Sequence, residues 1–376
     1  MKTISTTLLI TLLAFASGCS TPLTDRAVGM PGIGGEIDAK SSAAAPSSCV
    51  VTGKPRTVAP KARIVPAMDI VSDSDKLVLG LSTGRDEAVR VDLDPRSATA
   101  MHRTVYKPSP MRGKPDEQRL DVTTFDCKNQ LDNARSIAAD SPFAIGTRQG
   151  WLAWSSCSES EPQPLWKLPA GPVQDLQGLV KGRNAGFVII FRQNDTLWMG
   201  ALDADKKPVG SLSKVAERSH LRWPTLAESG GALLMAWAEQ KPGSERLSLG
   251  GTTIAKDGAA KTVEFDLPLG GLGGEAFQPA LVGLDGDRFL MVWTEGHTWT
   301  NEVRAATFRA GGEMIGSVLP VSATAEGGWG RPAVTADGRG VVVFLTPTDV
   351  GFALAATPIA CPITSDKTAR IAVSRR

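Results

Sequence analysis

The chain has 376 residues, 42% of them apolar and 21% charged, which is the composition of a folded globular protein. Forty-one basic against 39 acidic residues leave a formal charge of +2, too weak a field to attract nucleic acid or anionic lipid, so neither is an expected partner through charge. Three His and one Tyr thin the supply of general acids, bases and metal ligands, whereas nine Trp and 11 Phe can furnish a large core and 39 Gly with 25 Pro imply many turns.

The chain opens with a basic Lys2 and a short apolar stretch from Leu8 to Phe15. This is too short to span a bilayer as a helix and has the form of a secretion signal over residues 1–18. Ala16-Ser17-Gly18-Cys19 follows directly and resembles the lipobox of bacterial lipoproteins, with Ala16 where Leu is usual. The resemblance implies acylation of Cys19, and Ser20 after it implies the outer membrane. The plainer alternative is an ordinary cleaved signal that leaves Cys19 as a spare thiol. Residues 19–48 form a Gly-, Ser-, Ala- and Pro-rich segment with no apolar period, which is expected to be a disordered tether.

Beyond Cys19 there remain Cys49, Cys127, Cys157 and Cys361, an even number suited to an oxidising compartment. Of the three pairings, Cys49 with Cys361 and Cys127 with Cys157 is expected: the first joins the ends of the folded region, and the second closes a local loop. No CxxC or Cys/His spacing supports a metal site, and no cofactor is expected.

Residues 49–376 read as a single repeated domain. Arg222-Trp223-Pro224-Thr225-Leu226, Phe277-Gln278-Pro279-Ala280-Leu281 and Gly330-Arg331-Pro332-Ala333-Val334 each precede an apolar run. The runs are Leu233–Trp237, Phe289–Trp293 and Val341–Phe344, reached through a Gly- or Asp-containing turn. A run that is apolar throughout suits a strand buried on both faces. Trp198 to Val215 aligns without a gap over Arg304 to Val321, with Gly210 over Gly316, as two outer strands and their turn. Weaker copies of the apolar run are read at Phe187–Phe191, Trp151–Trp154 and Leu77–Leu81.

Six units of about 55 residues, strand-like and without helical period, resemble the blades of a β-propeller. The predicted fold is therefore all-β, a propeller of six four-stranded blades after the tether. A seventh blade stays open in the long interval containing Pro108 to Gln130. A strand near Cys49 beside Ala353–Ala360 would close the ring, with the Cys49–Cys361 bridge as its clasp.

In propellers of this kind the loops entering the innermost strands and those leaving the second strands share one face. That face is expected to carry Arg222, Trp223, Phe277, Gln278, Trp329 and Arg331 at the entries, with Glu239, Glu295, His297 and Trp299 after the second strands. Flat rings beside carboxylates and guanidinium groups suit a glycan or peptide, although each Trp could equally plug a gap between blades. No catalytic residue is assigned. Gly80-Leu81-Ser82-Thr83-Gly84 fits G-x-S-x-G but is followed by a strand-like alternation where that motif needs a helix. Gly296-His297-Thr298-Trp299 resembles the end of a sialidase Asp-box without its Ser and Asp. His102, His220 and His297 have no ligand spacing. The leading expectation is a membrane-anchored, non-catalytic propeller binding a glycan, peptide or envelope protein. The alternatives are a propeller hydrolase or lyase acting on cell-surface glycans, and a scaffold for outer-membrane protein assembly.

Overall fold

The computed structural model describes residues 48–363, apart from 63–66, 74, 83–87, 107–130, 137–143, 157–160, 181–185, 255–259, 269–273, 298–299, 323–325 and 350. The described residues are strands and turns, with no helix among them. Two N-terminal strands, β1 (Val50–Val51) and β2 (Arg56–Ala62), belong to the last sheet of the chain. Blade 1 is β3 (Ala67–Asp73), β4 (Lys76–Ser82), β5 (Ala88–Leu93) and β6 (Ala100–Tyr106). Blade 2 is β7 (Asp132–Ser136), β8 (Ala144–Arg148), β9 (Trp151–Ser155) and β10 (Gln163–Lys167). Blade 3 is β11 (Val173–Val180), β12 (Phe187–Gln193), β13 (Thr196–Leu202) and β14 (Ser213–Glu217). Blade 4 is β15 (Arg222–Ser229), β16 (Ala232–Gln240), β17 (Leu247–Ile254) and β18 (Ala260–Glu264). Blade 5 is β19 (Ala276–Gly283), β20 (Arg288–His297), β21 (Thr300–Arg309) and β22 (Met314–Pro320). Blade 6 is β23 (Gly328–Val334), β24 (Arg339–Thr348) and β25 (Gly351–Ala360), completed by β1 and β2.

Each sheet is an antiparallel meander, and the six together form a β-propeller. Closure joins the two ends of the domain: Val50 pairs with Ala360 and Val51 with Ile359, then β2 continues along β25 with Arg56 opposite Ala356. The predicted Cys49–Cys361 disulfide sits at the end of this pairing, buried on both sides. Cys127 and Cys157, like Cys19 and the tether, lie outside the described residues.

Side chains alternate between the two faces of a strand, so each sheet turns one apolar row toward each neighbour. Outside blade 2 the second strands are buried on both faces, which is why they read as apolar runs. Ile189 and Phe191 meet Ile145 and Leu152 of blade 2, while Val188 and Ile190 meet Met235 and Trp237 of blade 4. Leu234 and Ala236 meet Met291 and Trp293; Leu290 and Val292 meet Val342 and Phe344; Val341 and Val343 meet Leu77, Leu79 and Val91 of blade 1. The opposite face of blade 1 carries charged side chains beside the buried Val78. Asp92 there accepts from Arg90 Nε at 2.9 Å and from Lys76 Nζ at 3.1 Å. Burial pushes the Asp92 carboxyl up, but the hydrogen bonds and charges of Arg90 and Lys76 outweigh it and hold it below the ordinary 3.8.

Two readings of the repeat are corrected. Trp151–Trp154 is not a second strand but the third strand of blade 2, paired on one side with β8 and on the other with β10. Its apolar residues pack into the seam with blade 3 and so mimic a second-strand run. The copy around Pro332 is displaced by two residues. Ladder pairing places Arg331 opposite Val343, as Ala280 lies opposite Val292, so Trp329-Gly330 matches Gln278-Pro279. The alignment of Trp198 with Arg304 agrees with the ladders: Trp198 is opposite Phe191 and Arg304 opposite Trp293. Gly210, just before β14, and Gly316, at the register shift inside β22, both lie in the left-handed region, at φ 76° and 79°, which suits glycine.

Candidate functional site on the loop face

The start of each innermost strand pairs with the end of the second strand, as Arg222 does with Ala238 and Ala276 with Glu295. Entry loops and the loops after the second strands therefore open on one face, as expected. At this face the innermost strands of blades 3 to 6 share a bulge. In blades 4, 5 and 6 two residues oppose one aromatic: Trp223-Pro224 opposite Trp237, Gln278-Pro279 opposite Trp293, and Trp329-Gly330 opposite Phe344. In blade 3 the pair is Asp175-Leu176 opposite Phe191. The first bulge residue is left-handed in all four, with φ of 51° at Asp175, 50° at Trp223, 53° at Gln278 and 55° at Trp329. Non-glycine residues in this region cost about 1 kcal/mol or more each, so four at equivalent places are a built feature that aims these side chains.

The predicted residues divide by what the fold asks of them. Gln278 is buried, and its Oε1 accepts from Thr294 Oγ1 at 2.9 Å and from the Trp329 backbone N–H at 3.2 Å, tying blade 5 to the bulge of blade 6. Trp223 is half-buried over the seam between blades 4 and 5, its ring 6.0 Å from Phe277. Trp329 is half-buried over the seam between blades 6 and 1, 6.3 Å from Phe352 and edge-on. These two rings plug the mouths of seams and still offer part of a face to solvent. Arg222 is exposed; Arg331 is half-buried and donates from Nη1 to the Gly330 carbonyl at 3.1 Å. His297 ends β20 with its backbone opposite Thr300. Its side chain, and Trp299 as a whole, lie outside the described residues.

The two glutamates occupy one repeat position, two residues beyond Trp237 and Trp293, and differ in use. Glu239 is half-buried; its Oε2 accepts the Trp237 indole N–H at 2.7 Å and lies 3.6 Å from Arg218 Nε. Glu295 is fully buried and forms an ion pair with Arg304 Nε at 3.1 Å. Arg304 also donates from Nη2 to Glu302 Oε2 at 3.0 Å. The Trp293 indole N–H, wholly buried, has no acceptor.

Several residues of this face were not singled out from the sequence. Arg304 sits on a third strand, and nothing local marks it as the partner of a glutamate nine residues earlier. Trp151, 41% exposed, opens the third strand of blade 2 beside the turn after Arg148. Asp175 accepts from Arg192 Nε at 2.8 Å across blade 3. Among the described residues, no group of three His, Cys, Asp or Glu side chains is placed to hold a metal ion.

No protein-family model and no curated protein matches the sequence. Solved structures of similar fold include a protein of unknown function from Dyadobacter fermentans DSM 18053, 12% identical, covering 84% of this chain and 99% of that one at a TM-score of 0.49. Another is the α-L-arabinanase of Penicillium chrysogenum complexed with arabinobiose, 11% identical, covering 84% and 99% at 0.44. A third is the β-propeller domain of the Trilobed protease from Pyrococcus furiosus, 10% identical, covering 77% and 82% at 0.38. These likenesses concern the fold alone.

Proposed function

We propose that this protein is a binding propeller of the bacterial envelope, lipid-anchored through Cys19 at the outer membrane, that captures a glycan or peptide on the loop face rather than transforming it. The observation that carries the reading is the set of partly exposed rings on that face, Trp151, Trp223, Phe277 and Trp329, beside charged side chains held by ion pairs. Rings offer stacking surface at low entropic cost, and fixed charges orient hydrogen bonds around it. Binding is favoured over hydrolysis by how the two equivalent carboxylates are used. Hydrolysis of a glycosidic bond ordinarily needs two carboxyl groups free to act at the scissile bond, one as proton donor and the other as base or nucleophile. Here Glu239 is engaged by an indole N–H, and Glu295 is buried in an ion pair with Arg304.

The test is a pull-down of the lipidated protein from solubilised envelope, in parallel with Cys19→Ala and Trp223→Ala, reading bound saccharide, peptide and protein. Bound saccharide or peptide that is intact after incubation and lost in Trp223→Ala is expected. A stoichiometric protein partner lost in Cys19→Ala, or cleavage of the bound ligand, would overturn the reading in favour of a scaffold or a hydrolase.

A further inference from the structure

One tryptophan of the loop face stands apart from the apolar seams. Among the described residues, Trp223 and Trp329 pack against the clusters beneath them, Trp154, Trp166 and Trp198 pack into the seam of blades 2 and 3, and Trp237 and Trp293 are buried. Trp151 belongs to none of the apolar clusters and is 41% exposed. Its mount is nonetheless stiff. Arg148 and Trp151 close a two-residue hairpin whose central residues, Gln149 and Gly150, are left-handed at φ 50° and 79°, the backbone that matches the twist of paired strands. The Leu168 N–H donates to the Gly150 carbonyl at 2.9 Å and so fixes the hairpin to the chain leaving β10. The ladder sets the neighbours of the ring, with half-buried Arg148 directly opposite on one side and exposed Lys167 on the other. Directly opposed residues share a face of the sheet, with Cβ atoms about 4.5–5.5 Å apart, so an exposed indole stands between two cations.

We propose that this end of blade 2 is a subsite for an acidic saccharide, a uronate whose pyranose ring stacks on the Trp151 indole while its carboxylate meets Lys167. This deepens the binding reading above and rests on it. The class follows from using both halves of the arrangement. A neutral sugar would use the ring and leave the cations idle. An Asp or Glu side chain of a peptide would use the cations but has no flat face for the indole. A uronate carries a face of C–H groups and a carboxylate on one rigid ring, so it uses both at once. Exposed Lys167 is the cation that meets the carboxylate, and Arg148 lines the other edge of the indole. Asp132, an exposed carboxylate at the same end of the blade, lies opposite Thr147, one residue out of step with Arg148. It therefore belongs to the other face of the sheet and leaves this one to the cations.

The experiment is an NMR titration of the full chain with ¹⁵N-labelled tryptophan, the Trp151 indole signal being assigned by its loss in Trp151→Ala. Tetragalacturonate is the probe, with neutral galactotetraose and a tetraglutamate peptide as comparisons. The Trp151 signal is expected to move with tetragalacturonate and not with the peptide, while the Trp237 signal, whose N–H is held by Glu239, stays in place. Read by calorimetry, Trp151→Ala is expected to bind tetragalacturonate about tenfold more weakly. Lys167→Gln is expected to bind it about fivefold more weakly and with less dependence on salt, and galactotetraose to bind the wild type about fivefold more weakly than tetragalacturonate does. Both substituted side chains are exposed, and an unshifted Trp237 signal in each variant reports an intact fold.

A Trp151 signal that tetragalacturonate does not move, or binding that Lys167→Gln leaves unchanged, overturns the subsite. Equal binding of galactotetraose overturns the acidic class, and a response to tetraglutamate that Lys167→Gln abolishes overturns the saccharide class. The two proposals fail separately. Envelope ligand lost in Trp223→Ala but captured equally by wild type and Trp151→Ala breaks the subsite and keeps the binding face. Tetragalacturonate bound at Trp151 in a protein that captures nothing from the envelope breaks the broader reading.

Discussion

Blades 4 and 5 place the same Trp-x-Glu sequence at the same end of the second strand, and the two copies end in opposite states. In blade 4 the carboxylate caps the indole; in blade 5 it is buried against a guanidinium and the indole N–H is left over. The backbone of the repeat is common to both, so the difference comes from the residue across the ladder, Gly250 in one and Arg304 in the other. A propeller repeat thus fixes where a side chain stands, and a third-strand neighbour decides which partner that side chain meets. The strongest way to break the comparison is Glu295→Ala. It would leave Arg304, 19% exposed, with Glu302 as its remaining carboxylate in these ion pairs. Losing one partner of a buried ion pair costs about 3–5 kcal/mol, and the remaining Glu302 places this case near about 3. Chemical denaturation followed by tryptophan fluorescence measures it, and a loss below about 1 kcal/mol would show that Glu295 does not hold Arg304.

The matching change in blade 4 is smaller. Trp237→Phe removes a hydrogen bond to a carboxylate, worth about 1.5–3 kcal/mol, but Glu239 is half-buried and keeps Arg218 nearby, so about 2 kcal/mol is expected in the same assay. Gly250→Ala should cost about 1 kcal/mol. Its Cβ meets the far end of a flexible glutamate, which swings off the indole rather than forcing the backbone apart. The substitution converts blade 4 toward the state of blade 5, and the Trp237 indole signal should shift as it loses its acceptor. An unchanged Trp237 signal would mean that glycine is not what admits the carboxylate.

The sequence carries the propeller in its local signals. Runs such as Phe289–Trp293 are apolar because neighbouring blades bury both faces, and Gly210 and Gly316 stand where the backbone at the outer strands is left-handed. The clasp was legible because Cys49 and Cys361 flank the strands that close the ring. Features set by cross-strand neighbours were not legible. Blade 2 has Gly146 where the second strands of blades 3 to 6 have an aromatic, so the Trp151–Trp154 run drew the eye to the wrong strand. The left-handed bulge positions hold Asp175, Trp223, Gln278 and Trp329, which share no residue type and leave no motif, and the proline at 332 pulled that copy two residues out of register. For the candidate site, Trp223 and Trp329 were placed on the right face. The roles of Gln278 and Glu295 depended on Thr294, Trp329 and Arg304, partners that become neighbours through folding.

The smallest expected effect separates the twin blades most sharply. Trp293→Phe removes a buried donor that has no acceptor, which favours the variant, and also removes part of a buried ring, which disfavours it. Both terms are on the order of 1 kcal/mol, so the net change in stability should lie within about 0.5 kcal/mol of zero. The same substitution at Trp237 should cost several times more, because there the donor is used. Measured together, the two variants test whether the indole of blade 5 contributes to the fold. A loss at Trp293 as large as that at Trp237 would mean that a permanent partner, an enclosed water or a backbone carbonyl, already satisfies its N–H.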